Sequence, residues 1–145
     1  MLQLDIRKFL REGQLFPMDE IRTEDLVLNK LGKPDDVEDY GSKGRYLHYN
    51  NLRFLFSGNE LTSVAIFFMN YETSFEINID DEVFVLQRDM PLTSLLRMLN
   101  EINLRWSIPY EQSKLDYLMV EIESGVKIYY YLENDRLERM IKSFS

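Results

Sequence analysis

Asn51-Leu52-Arg53-Phe54-Leu55-Phe56, the turn Ser57-Gly58-Asn59-Glu60 and Leu61-Thr62-Ser63-Val64-Ala65-Ile66 read as strand, turn and strand. The pattern returns in degenerate form as Gly125-Val126-Lys127-Ile128-Tyr129-Tyr130, a turn through Glu133-Asn134-Asp135, and Leu137-Glu138-Arg139-Met140-Ile141. A helical stretch precedes each hairpin, Thr23 to Leu31 before the first and Leu92 to Ile102 before the second. The unit, a helix followed by antiparallel strands, is therefore used twice, over residues 14–70 and 88–145. It is too long and too few in number for a stacked solenoid, so the halves are expected to share a core or lie side by side in one sheet.

Working outward from the hairpins, Ile6, Phe9 and Leu10 fall on one face of a short helix that Gly13 stops. Thr23 can cap the next helix, Glu24 and Asp25 suit its positive end, Val27 and Leu31 form an apolar stripe, and Gly32 and Pro34 end it. Asp35 to Gly44 reads as an acidic loop, followed by strands at Arg45 to Tyr49 and Leu52 to Phe56 joined through Asn50-Asn51. Leu61 to Met69 is apolar on both faces, Leu61, Ala65 and Phe67 against Val64, Ile66 and Phe68, and so is expected at the centre of the sheet. Phe75, Ile77 and Ile79 alternate with polar residues, and Val83 to Leu86 is expected to continue the same sheet after Asp80-Asp81-Glu82. Pro91 opens the clearest helix, with Leu92, Leu95, Leu96, Leu99 and Ile102 at helical spacing, and Trp106 is placed in the core beside Ile108. The fold class is α+β: two helix-then-strand repeats in one compact body spanning residues 1–145, with helices on one face of an antiparallel sheet.

Composition narrows the function classes. With 145 residues, 45% of them hydrophobic, the chain can bury one sizeable core. No run approaches the ~20 apolar residues of a membrane helix, and Met1 to Leu10 carries Asp5, Arg7 and Lys8 where a signal peptide is apolar, so a soluble, cytoplasmic protein is expected. The absence of cysteine removes disulfides, thiolate nucleophiles and thiolate metal sites, and a single histidine, His48, leaves little for imidazole catalysis. A net charge of -8 repels nucleic acid and anionic membranes; it suits a basic partner, and it equally serves simply to keep a small protein soluble, which is the preferred reading of the charge alone.

Residue patterns that announce a reaction are missing. Asp35, Asp36, Glu38 and Asp39 lack the glycine and distal glutamate of a calcium loop, and Asp80, Asp81 and Glu82 are adjacent acids at a turn, so both groups read as solvated loops. His48 reads as a strand histidine with a satisfied hydrogen bond. Gly41-Ser42-Lys43-Gly44 falls short of a phosphate-binding loop, and no serine sits in a nucleophile elbow. No catalytic residue, metal ligand or cofactor is assigned. Aromatic residues are the richer resource: with Tyr130 facing inward beside Val126 and Ile128, Tyr129 and Tyr131 face outward with Lys127. Tyr40, Tyr49 and Tyr71 are further candidates for exposure.

These residues carry a resemblance. Ile6 to Gly13, Leu31-Gly32-Lys33-Pro34-Asp35-Asp36, Tyr49-x-x-Leu52-x-Phe54-x-Phe56 and Glu123 to Tyr129 resemble a pattern shared by small bacterial proteins that have been considered as immunity proteins to polymorphic toxins. The helix, L-G-x-P and sheet unit is also similar to the tandem fold of beta-lactamase inhibitory protein and of related outer-membrane assembly lipoproteins, although the lipoprotein signal and lipidated cysteine are lacking. The resemblance implies a non-catalytic immunity or inhibitor protein that occludes a toxin or enzyme, a basic nuclease toxin fitting the charge. Asp35, Asp36, Glu38, Asp39, Tyr129 and Tyr131 are the candidate partner contacts. A small-ligand-binding or enzymatic α+β domain is the second reading, and a homodimer paired through sheet edges the third.

Overall fold

The computed structural model describes residues 4–69, 72–109 and 116–144. Asp5 caps the first helix, α1 (Ile6–Glu12), by accepting from the Lys8 amide, and Gly13 closes it in the left-handed region. A single-turn helix α2 (Met18–Ile21) leads into α3 (Glu24–Leu31), where the Thr23 hydroxyl accepts from the Leu26 amide. Strands β1 (Asp36–Asp39), β2 (Arg45–Tyr49), β3 (Leu52–Ser57) and β4 (Glu60–Phe67) follow, then the hairpin β5 (Phe75–Ile79) and β6 (Glu82–Leu86). Helix α4 (Leu92–Glu101) precedes β7 (Trp106–Ser107), β8 (Tyr117–Ile122), β9 (Lys127–Tyr131) and β10 (Arg136–Ser143).

The class is α+β. One eight-stranded antiparallel sheet runs in the order β1-β2-β3-β4-β10-β9-β8-β7, and β5-β6 forms a separate two-stranded sheet. Strands from the two halves of the chain meet at β4 and β10, where Ile66 pairs with Met140 and Ala65 with Ile141. The expectation that Val83 to Leu86 would extend the main sheet is overturned: among the described residues β6 pairs with β5 alone, and Ile77, Phe84 and Leu86 join the common apolar core while Val83 stays exposed. Asp35 to Gly44 is likewise not all loop. Asp36 to Asp39 pairs with Arg45 to His48 as an edge strand, and a 3-10 turn at Gly41–Lys43 joins the two.

Strand parity sets the core. Leu47, Tyr49, Leu52, Phe54, Phe56, Val64, Ile66, Val120, Ile122, Ile128, Tyr130, Leu137 and Met140 share one apolar cluster with Phe9 and Leu10 of α1, Val27 of α3 and Leu95, Met98 and Leu99 of α4. Leu61 belongs to this cluster too, which corrects its expected pairing with Ala65 and Phe67. A β-bulge between Leu55 and Phe56 in the β3-β4 register places Leu61 opposite Phe56 but Ser63 opposite Leu55, so parity changes across Thr62. A second bulge lies between Leu137 and Arg139 in the β9-β10 register. Pro91 occupies the position before α4, in extended geometry, and not its first turn. Tyr49 is buried, its hydroxyl donating to the Gly32 carbonyl at 2.7 Å, contrary to the exposure expected of it. Burial, aided by the charges of Glu24 and Asp35, holds its phenol above the usual range. Trp106 is partly buried against the core beside Ile108, its indole donating to Asn100 Oδ1 at 2.9 Å. Tyr71 lies outside the described residues.

Candidate functional site

The strand residues of opposite parity build the candidate site. Cross-strand register places Asp36 and Glu38 of β1, Tyr46 and His48 of β2, Arg53 of β3, Ala65 and Phe67 of β4, Arg139 and Ile141 of β10, Lys127, Tyr129 and Tyr131 of β9, and Tyr117 and Met119 of β8 on one face. Ala65 and Met119 are buried there yet stand outside the common core cluster. Ala65 is the cross-strand partner of Arg53, and Met119 that of Tyr129.

Cations and rings are interleaved across this face. The Arg53 guanidinium carbon lies 4.6 Å from the ring centres of both Tyr46 and Phe67, so one cation sits against rings from the two neighbouring strands. Arg139 lies 4.4 Å from the Tyr129 ring, which is tilted against Tyr117 at 5.7 Å. Tyr40 meets Tyr46 edge-on at 5.8 Å, and Tyr46 stacks on His48 at 6.2 Å. Each ring-cation contact of this kind is worth ~0.5–2 kcal/mol depending on desolvation. Flat guanidinium groups held against rings lose little rotamer freedom when they bind, which suits a preformed contact surface.

Glu138 lies at the second bulge, beside these cations. Its Oε1 accepts from Arg139 Nη1 at 3.1 Å. Burial pushes its carboxyl above the usual range, and Arg139, followed by Arg53, pulls only part of the way back. A folded-state value raised above the unfolded one means the folded protein binds the proton more tightly. The associated stability is present below the unfolded value and lost as pH rises through the folded one. Glu138→Gln is therefore expected to gain stability relative to wild type between pH 4 and pH 7.5, measured as urea midpoints of both proteins across that range; a constant difference would contradict it.

The candidate contacts do not stand together. Tyr129 and Tyr131 face away from the core as the alternation requires, Tyr131 being 43% exposed, while Tyr130 is buried and donates to the Met90 carbonyl at 2.9 Å. Burial, then the charge of Asp135, raises the Tyr130 phenol strongly. Asp36 and Glu38 share the face with Tyr129 but lie five strands away, roughly 24 Å at ~4.8 Å per strand. Asp39 alternates to the opposite side, pairing with Arg45 Nη1 at 3.0 Å, while Arg45 Nε also meets Glu24 of α3 at 2.7 Å. Asp35 precedes the strand and accepts from the Asn50 amide at 2.6 Å. The four acids thus do not form one patch. Tyr40 is 54% exposed, and the charge of Glu38 is the main cause raising its phenol.

Arg53, Phe67, Arg139, Tyr46 and Tyr117 were missed by sequence reasoning. The signal for Arg53 was an arginine at the outward position of an apolar strand; its sandwich needs the register of three strands, which no local pattern gives. His48 has the hydrogen bond expected of it, to Glu38 Oε2 at 3.2 Å, and Asp36 completes a group whose three ligand atoms lie within 4.8 Å of one another. At the other acidic turn, Glu82 holds Arg97 through two contacts, at 3.0 and 2.5 Å.

A depression of about 740 Å³ lies between the start of α1 and β5 and is lined by Asp5, Arg7, Glu76 and Asn78 among others. A small one of about 90 Å³ lies on the aromatic face among Tyr117, Tyr129, Tyr131, Glu138 and Arg139. Among the described residues no helix is long and apolar enough to cross a membrane. Comparison with protein-family models, with curated proteins and with solved structures returns no match.

Proposed function

We propose that the protein is a non-catalytic protein-binding module, an immunity or inhibitor protein that blocks a bacterial toxin or enzyme by occlusion. The observation that carries this reading is the face on which Arg53 is sandwiched by Tyr46 and Phe67 and Arg139 lies on Tyr129. Arginine and tyrosine are the residue types that dominate binding energy at interfaces. In this reading the helices and the β5-β6 hairpin sit on the other face, leaving the aromatic one to the partner, and the sheet is a tandem repeat whose halves, residues 14–70 and 88–145, join at β4 and β10. The matching sheet order and paired bulges support the duplication.

Asp36 and Glu38 form an acidic margin to that face and would steer a basic partner into place. The partner-bound state would be a steric block, with no bond made or broken in the partner.

The test is affinity capture from native extract expressing the neighbouring genes, with wild type beside an Arg53→Ala, Tyr129→Ala double variant. One stoichiometric partner retained by wild type and lost by the variant is the expected result; equal capture by both would remove this face from the reading. With the partner in hand, Asp36→Asn with Glu38→Gln is expected to lower the association rate and flatten its salt dependence, whereas Asp35→Asn should leave both unchanged.

A further inference from the structure

The geometry points to a zinc-binding site at Asp36, Glu38 and His48, on the edge hairpin of the sheet. Asp36 lies directly opposite His48 in the β1-β2 register, and Glu38, two residues on, projects from the same face. All three donor atoms fall within 4.8 Å of one another. Glu38 Oε2 and His48 Nε2 are 3.2 Å apart. Ligand bonds of about 2.0–2.1 Å meeting at a tetrahedral angle hold their donor atoms roughly 3.3 Å apart, so these two atoms already have the separation of ligands to one ion. Asp36 is exposed, and its carboxylate oxygen lies within 4.8 Å of the other two donor atoms.

The donor set selects the class of ion. One imidazole nitrogen with two carboxylate oxygens suits zinc, whereas calcium and magnesium take oxygen ligands alone. Two carboxylates also balance the charge of a divalent ion. The imidazole is oriented by its stacking on Tyr46, whose ring is held in turn by Tyr40 edge-on. Arg53, the cross-strand partner of His48, holds its guanidinium against the rings of Tyr46 and Phe67. Three protein ligands leave a fourth position open to water or to a donor from another molecule. The protein-binding reading is not required for this site, and either can fail without the other.

The chain has one histidine and no cysteine, which makes the test direct: a single imidazole supplies the only ring resonances of its kind. Zinc chloride titrated into untagged protein is expected to shift the His48 ring protons in NMR spectra, saturating at one ion per chain by calorimetry. His48→Gln should abolish the calorimetric signal, and Asp36→Asn or Glu38→Gln should weaken it on the order of tenfold or more. Glu82→Gln, at the far acidic turn, should change nothing. Unmoved imidazole resonances at excess zinc would overturn the site, and so would binding that survives His48→Gln or ignores both acid substitutions. The NMR readout uses wild-type protein, so it stands even if a variant folds poorly.

Discussion

Phe54→Ala is expected to cost about 3–5 kcal/mol of folding stability. Phe54 has no exposed surface, lies at the middle of β3 and stands opposite Leu47 on one side and Val64 on the other. Phe16 stacks on it at 6.4 Å and Tyr49 meets it edge-on at 5.9 Å, so truncation leaves a cavity lined by rigid rings that cannot collapse into it. A domain of this size has only about 5–15 kcal/mol to lose. The midpoint of thermal unfolding should fall by about 10 °C or more. Leu55→Ala, one residue along and on the opposite face, is half-buried and should cost far less. Equal losses at the two positions in calorimetric melts would contradict the assignment of faces.

Arg53→Ala is expected to weaken partner binding by about 2 kcal/mol or more, close to a thirtyfold rise in Kd. The substitution removes the cation that both Tyr46 and Phe67 hold, so it should also cost a smaller amount of stability, about 1–2 kcal/mol for two partly exposed contacts. Arg53→Lys separates the two effects. It keeps the charge but loses the planar group that stacks on rings and donates in a fork, so a binding loss near that of Arg53→Ala with a melting temperature near wild type is expected. Binding by calorimetry at one ionic strength, beside a thermal melt of each variant, makes the comparison. Full affinity in Arg53→Lys would mean that only the charge matters, and full affinity in Arg53→Ala would take the residue out of the interface.

Much of the fold is legible in the sequence because apolar periodicity and punctuation agree. Thr23, Gly13 and the alternation of Leu52, Phe54 and Phe56 each act through their immediate neighbours, and the elements form where those residues place them. The failures have non-local causes. Asp36-Val37-Glu38-Asp39 carries no apolar signal for a strand and becomes one because β2 offers it a free edge. Leu61 changes face because one extra residue, Thr62, is accommodated in β4 against β3. Val83 to Leu86 has strand character in either sheet, and only tertiary packing decides which. The same limit governs the site. The outward placement of Tyr129 and Tyr131 follows from alternation within one strand, whereas the Arg53 sandwich and the grouping of Asp36, Glu38 and His48 depend on which strands become neighbours.

The pairing of β4 with β10 bears on how the chain comes off the ribosome. β4 is complete once Phe67 has been made, yet its outer partner, β10, begins only at Arg136. Throughout that interval the nascent chain presents an apolar strand with one unpaired edge, a template for pairing with another chain. Completion of the sheet must therefore wait until β10 has emerged, which favours slow, late closure and early shielding of β4 by a chaperone.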